Sequence, residues 1–194
     1  MRRLATALAS PALLAGLAFS APAAAQDGVV LSDRVAALTA GLFCAPPEGT
    51  RQPAPDTMAG WVHVPDAPVQ MVAEGRVAPA VLGQGFGVRF ALDTDAPVMT
   101  RYTVTHPPMP PTGITAQSWD GLVRPGMTDT VFFQFDIPEE LQPGPWSFSA
   151  SADGQELFHV DFTVRPPAEL PGLADLCRGG ALLSLSRPDP AARG

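Results

Sequence analysis

Lysine is absent from this 194-residue sequence: all twelve basic residues are arginine, set against nineteen Asp and Glu, for a net charge of −7. An acidic, lysine-free chain has no electrostatic footprint for phosphate backbones, which excludes nucleic acid as the expected partner. Anionic membrane surfaces would repel it for the same reason. Long apolar runs are also missing. The one candidate, Ala12 to Phe19, is too short to span a bilayer and is bounded by Pro11 and Pro22. No Gly-x-Ser-x-Gly elbow occurs, so hydrolysis of the usual α/β type has no nucleophile to start from. Long helices are disfavoured by 23 prolines and 18 glycines, since both residues weaken helix interiors. So much Pro and Gly approaches the composition of a disordered chain. Yet 46% of residues are hydrophobic, and Phe and Val fall in alternating runs, which favours a turn-rich β domain.

Residues 1–25 read as a secretory signal peptide: Arg2-Arg3, an apolar middle, and Ala23-Ala24-Ala25 before Gln26. Cleavage near Ala25 places the mature chain in the periplasm or outside the cell, without a membrane span. It removes Arg2 and Arg3, leaving ten arginines against nineteen acids, a net −9. The single domain is expected over 26–177, with 178–194 as a partly disordered tail in which Ala181 to Leu185 could pack back on the sandwich. The two cysteines, Cys44 and Cys177, bracket that domain. Neither has a CxxC partner or a nearby histidine, so in an oxidising compartment they are expected to form a structural disulfide.

Period-two alternation marks the strands. Phe86, Val88, Phe90 and Leu92 share one face, and Val131, Phe133, Phe135 and Ile137 share another. Val98 to His106 is a further strand, with His106-Pro107-Pro108-Met109-Pro110-Pro111 leaving the sheet as a stiff segment. Ser32 to Cys44 fits either a helical stripe (Val35, Leu38, Leu42, Phe43) or an alternating strand; the β-rich remainder favours the strand. Ala45 to Ala59 reads as a loop, Gly60 to Ala73 as one or two short edge strands, and Leu170 to Cys177 as a short helical turn. Leu141 to Val164 is the clearest hairpin. A two-residue Asp153-Gly154 turn would set Trp146 opposite Asp161. A three-residue loop, Ala152-Asp153-Gly154, sets Trp146 opposite Val160 and Phe148 opposite Phe158, with Gly154 left-handed, and is the expected form. The count gives an immunoglobulin-like antiparallel β-sandwich of seven to eight strands.

Phe86-Gly87-Val88, His106-Pro107-Pro108-Met109, Leu141-x-Pro143-Gly144-x-Trp146-x-Phe148 and Phe162-x-Val164 occur in one order. Together they make the stretch from Val35 to Val164 resemble an uncharacterised family of exported bacterial β-sandwich domains, a domain-of-unknown-function family. The resemblance implies a fold and a compartment and supplies no catalytic residues.

Candidates for chemistry are few. His106 stands three residues before Met109, and imidazole with thioether suits copper, with Met58, Met71, Met99 and Met127 as further soft donors. His63 and His159 are distant in sequence from it and from each other. Trp119 and Asp120 could form a sugar-binding shelf, although such a Trp-Asp-Gly run more often caps a loop. Glu139-Glu140 reads as a solvated turn. Gly83-x-Gly85-x-Gly87 precedes a strand instead of a helix, so it is a bend or bulge and no phosphate loop. Phe132 points away from the face of Phe133 and Phe135; it lies either under another segment, such as the Cys177 tail, or in an exposed apolar patch, and burial is favoured. The expected function is that of an exported non-enzymatic domain, without a cofactor, that contacts a protein or envelope component. A periplasmic module for copper (His106, Met109) or glycan (Trp119, Asp120) is the alternative.

Overall fold

The computed structural model describes residues 28–44 and 49–177; the expected signal peptide and the tail from 178, with its Ala181 to Leu185 segment, lie outside the described residues. Strands β1 (Val29–Leu31) and β2 (Val35–Cys44) open the domain. A separate hairpin follows, β3 (Gly49–Pro53) and β4 (Trp61–Pro65). Then come β5 (Gln70–Glu74), β6 (Val77–Pro79), β7 (Gln84–Leu92), β8 (Val98–Met109) and β9 (Ile114–Val123). The chain finishes with β10 (Thr128–Gln134), a 3-10 turn at Pro138–Glu140, β11 (Gly144–Ala152), β12 (Gln155–Arg165), and α1 (Pro171–Ala174).

One sheet has the order β1-β12-β11-β8-β9, with β6 parallel to β12 beyond the end of β1; the other has the order β10-β7-β2-β5. The fold is therefore the expected all-β antiparallel sandwich of immunoglobulin-like type. The seven to eight expected strands are present, β2 among them as a strand, and Gly60 to Ala73 holds two of them, β4 and β5. Four more join them. β1, β3 and β6 are too short or too polar to show a period. β9 carries no strand expectation, its Trp119-Asp120-Gly121 run being read as more often capping a loop, and β3 falls in the segment expected to be a loop. β8 also runs on to Met109 instead of leaving the sheet at His106. Pro107 and Pro108 are tolerated because β11 pairs with β8 only as far as Thr105, and the β8–β9 register shifts between Thr105 and Met109. Their missing N–H groups are not needed there.

The core is an aromatic seam between the inner faces. Phe86 of β7 has ring neighbours in both sheets: Phe133 (6.1 Å between centroids) and Phe135 (5.9 Å) on its own side, Trp146 (5.4 Å) and Phe162 (4.8 Å) across. Phe90 meets Phe158 at 5.1 Å. Each of these side chains is buried because strand alternation delivers it to the inner face, and edge-to-face geometry adds to the burial. Deep in the seam, the Trp146 indole N–H donates to the Gln142 carbonyl at 2.8 Å, which removes the cost of burying that dipole.

The β11–β12 hairpin corrects the expected register. Its turn has two residues, Asp153 (φ 54°) and Gly154 (φ 76°), with Ala152 opposite Gln155. Gly154 is left-handed as expected, but the loop is one residue shorter. The register then shifts between Ala150 and Ser151, leaving Leu157 as an extra residue in β12. Beyond that bulge Ala150 faces Phe158, Phe148 faces Val160 and Trp146 faces Phe162. The bulge restores apolar-to-apolar pairing that the tight turn alone would have broken. Leu157 is fully buried, and its carbonyl accepts the Ser32 N–H at 2.9 Å.

Cys44, at the end of β2, is bonded to Cys177 after α1, with a Cα–Cα distance of 5.4 Å and a sequence separation of 133. The short α1 region is also tied to β7, where the Gln84 amide donates to the Leu173 carbonyl at 3.0 Å. In a chain-entropy account, opening so large a loop with Cys44→Ala/Cys177→Ala lowers stability by about 4–5 kcal/mol; urea unfolding of the double variant checks this. The seam gives a second expectation. Phe86→Ala is expected to cost about 3–5 kcal/mol by the same measurement. Met99→Ala, at a side chain 61% exposed, should stay within about 0.5 kcal/mol of the wild type.

Candidate functional site

The hairpin β3–β4 belongs to neither sheet. It is docked on β9 through its connecting loop: the Ser118 N–H donates to the Asp56 carbonyl (3.1 Å), and the Met58 N–H donates to the Gln117 side-chain carbonyl. Arg101 of β8 joins the two by pairing with Asp56 (2.6 Å) and Asp120 (3.3 Å). These ion pairs are exposed and are worth little each, so the buried Gln117 contact is the firmer tether.

Between this hairpin and the edge of β10 lies a cleft of about 260 Å³. Its walls include Trp61 and His63 of β4, Tyr102 of β8, Trp119 of β9, and the whole run from Thr130 to Gln134 of β10, with Asp136 and Glu140 beside them. The Arg51 guanidinium lies 3.9 Å above the Trp61 ring. Phe132, expected to be buried or in an apolar patch, is half-buried: it stacks on the fully buried Phe43 of β2 at 5.3 Å. To do so it crosses Gly85 and Gly87 of β7, where any Cβ would stand 2.8 Å from its atoms. Two glycines of the Gly-x-Gly-x-Gly run, Gly85 and Gly87, are therefore a floor for an aromatic ring.

Glu140, expected in a solvated turn, is 2% exposed. One of its carboxylate oxygens, Oε2, accepts the N–H groups of Asp136 (2.7 Å) and Ile137 (3.3 Å), closing the 3-10 turn that follows β10. Proline at the start of that turn forces the tight bend that carries Glu140 inward. Desolvation is the main cause that raises its pKa to about 7; the two amides oppose the rise, while Asp136 and Glu139 add to it. Asp136 is raised as well, chiefly by burial, against hydrogen bonding from Gln134 and the charges of His63 and Arg51. Gln134 donates its amide N–H to Asp136 at 2.8 Å.

His106 and Met109 do come together, on a residue that sequence reading missed. Gln117 is buried, and its amide nitrogen lies 3.4 Å from His106 Nε2 and 3.5 Å from Met109 Sδ. The other ring nitrogen, Nδ1, is 2.8 Å from the Pro107 carbonyl. A carbonyl only accepts and an amide NH₂ only donates, so Nδ1 carries the proton and Nε2 accepts from Gln117. Burial lowers the His106 pKa, which keeps the ring neutral. The lone pair a metal would need is thus engaged by the amide. Met58 contributes its N–H to Gln117, and Met99 and Met127 are exposed elsewhere. Among the described residues, no group of three or more His, Cys, Asp or Glu is placed to hold a metal ion. Gln117 went unseen because a polar residue at an inward position breaks the alternation by which β9 would have been recognised.

The glycan candidates are split by the strand they share. Trp119 faces inward, near Tyr102 (6.0 Å) and Phe148 (5.8 Å), and borders the cleft; Asp120 faces out and is paired with Arg101. His159 stays on the polar face of β12, 3.1 Å from Asp161.

Folding raises the Glu140 pKa, so the native state holds that proton more tightly than the unfolded chain. The resulting stabilisation is complete below the ordinary value of 4.5 and is lost as pH rises through about 7. The change corresponds to about 3 kcal/mol. Glu140→Gln keeps an acceptor for the two amides and cannot ionise. Its urea stability should therefore gain on the wild type by about 3 kcal/mol between pH 4.5 and about pH 8; parallel pH profiles for the two proteins would contradict this account.

No curated protein matches the chain. Among solved structures it is similar to an immunoglobulin-like protein from Pseudomonas aeruginosa, at 20% identity and a TM-score of 0.44, over 73% of this chain and 99% of that one. A family profile, "Domain of unknown function (DUF3859)", matches residues 31–164. That stretch holds both sheets except Val29, Val30 and Arg165, together with the hairpin β3–β4 and every residue of the cleft, and the chain belongs to the DUF3859 family.

Proposed function

We infer that this is an exported, non-enzymatic domain that binds an extended segment of another cell-envelope protein in the cleft beside β10. The observation that carries the reading is the outer edge of β10. This strand is last in its sheet, and among the described residues Thr128–Gln134 make no backbone–backbone hydrogen bond except to β7. An unpaired edge left in a folded protein is a template for another strand, and natural proteins usually blunt it. Here it runs along a cleft walled by Trp61, Trp119 and Phe132. Strand addition takes its affinity from the backbone of such an edge and its specificity from adjoining pockets. Export is supported by the signal-like sequence of residues 1–25 and by the Cys44–Cys177 bond, which suits an oxidising compartment. The copper and glycan alternatives are less favoured, because Gln117 engages His106 and Arg101 engages Asp120.

A photo-crosslinking residue at Val64, on the rim of the cleft and 40% exposed, tests this in the periplasm. The control position is Asp161, on the outer face of the six-stranded sheet. The expected result is a discrete polypeptide adduct from position 64 that is absent from position 161 and is lost when Phe132→Ala is added. No adduct, or the same adducts from both positions, would overturn the reading. A glycan-array signal abolished by Trp119→Ala would replace it with carbohydrate binding.

A further inference from the structure

We propose that the anchor this cleft takes from its partner is a cationic side chain, an arginine or a lysine, whose N–H donors meet Gln134, Asp136 and Glu140. The inference rests on the reading of the cleft as a polypeptide site. It begins from an orphan. Gln134 Oε1 is buried and has no hydrogen-bond partner. The orientation of that amide is fixed, because its nitrogen donates to Asp136 at 2.8 Å and a flipped amide would set oxygen against a carboxylate. A buried acceptor left unpaired is costly, so the position calls for a donor from outside.

Its neighbours in the cleft call for the same thing. Asp136 and Glu140 are both partly removed from water, and the charge of Asp136 acts unfavourably on Glu140. These three residues, two of them acidic, line one cavity. A neutral apolar anchor would cover them without pairing any, and an acidic anchor would be repelled. A guanidinium or ammonium supplies donors and charge together. The walls suit its stem and its charge, since Trp61, Trp119, Tyr102 and Phe132 offer ring surface. The protein already contains the arrangement in miniature, with Arg51 laid over Trp61 at the rim. Arg51 and His63 are the basic residues that act on Asp136. Neither is among the causes that shift Glu140. The acidic balance of the whole chain would steer a basic segment towards it.

A phage-displayed library of unbiased heptapeptides, selected on the mature disulfide-bonded protein, tests the anchor without presupposing its sequence. The expected winners carry Arg or Lys at one fixed position and are lost on Phe132→Ala. Replacing that Arg by citrulline, a neutral isostere, should weaken binding measured by calorimetry by about tenfold or more. The Arg-over-citrulline preference should shrink in both Asp136→Asn and Glu140→Gln, and should persist in Asp161→Asn. Winners that depend on Phe132 but carry an apolar or acidic anchor, or that bind equally with citrulline, would overturn the cationic anchor and leave the polypeptide reading standing. A library that yields no binder, or only binders indifferent to Phe132→Ala, would overturn both.

Discussion

The contact between Phe86 and Trp146 holds the two sheets in register. Phe86 sits near the start of β7, which is paired on both sides, and Trp146 of β11 meets it from the other sheet at 5.4 Å. Phe133, Phe135 and Phe162 complete the seam around them. Rings of this size contribute most of the apolar area a small sandwich can bury, and they interlock with strong geometric preference. The Leu157 bulge follows from this constraint. The Asp153-Gly154 turn would have rotated Trp146 out of register, and the extra residue in β12 returns it to the seam.

The same constraint leaves one side of the sandwich open. At β9 and β10 the sheets have no further strands, and the hairpin β3–β4 covers the opening without pairing with either. It is held by contacts to β8 and β9, among them the buried Gln117. The edge of β10 therefore remains available while the cleft beside it is shaped. Glu140 is carried into this region by a proline-started turn, and burying a carboxylate there costs stability at neutral pH. A group retained at such a cost, beside an unpaired Gln134 oxygen, is more readily understood as part of a recognition surface than as a device for stability.

Much of the fold was legible because alternation is a local property. Phe86-Val88-Phe90-Leu92 and Val131-Phe133-Phe135 state which face is buried without reference to anything distant. The family resemblance shares Phe86 and Val88 with these runs and adds Trp146, Phe148, Phe162 and Val164, which are buried as well. The site was much less legible. β9 escaped because its inward positions hold Gln117, Trp119 and Gly121, a series without a hydrophobic period. Glu140 reads as solvated because nothing in Pro138-Glu139-Glu140 says that the turn folds its carboxylate back onto the amides of Asp136 and Ile137. His106 and Met109 were paired correctly as neighbours, but for a metal. Their shared partner, Gln117, comes from the adjacent strand β9, which has no hydrophobic period to mark it.

The sequence by itself determined the class of fold, the strands with a period, the positions of the two cysteines and the left-handed glycine of the main hairpin. Each depends on residues near one another in the chain, where sterics and side-chain alternation act directly. Only the tertiary structure decided the register of that hairpin, the burial of Glu140, the orphaned Gln134 oxygen and the convergence of His106 and Met109 on Gln117. These depend on how strands and turns pack against one another in space, even where they are close along the chain. Burial and hydrogen-bond satisfaction are properties of that packing, and no local pattern encodes them.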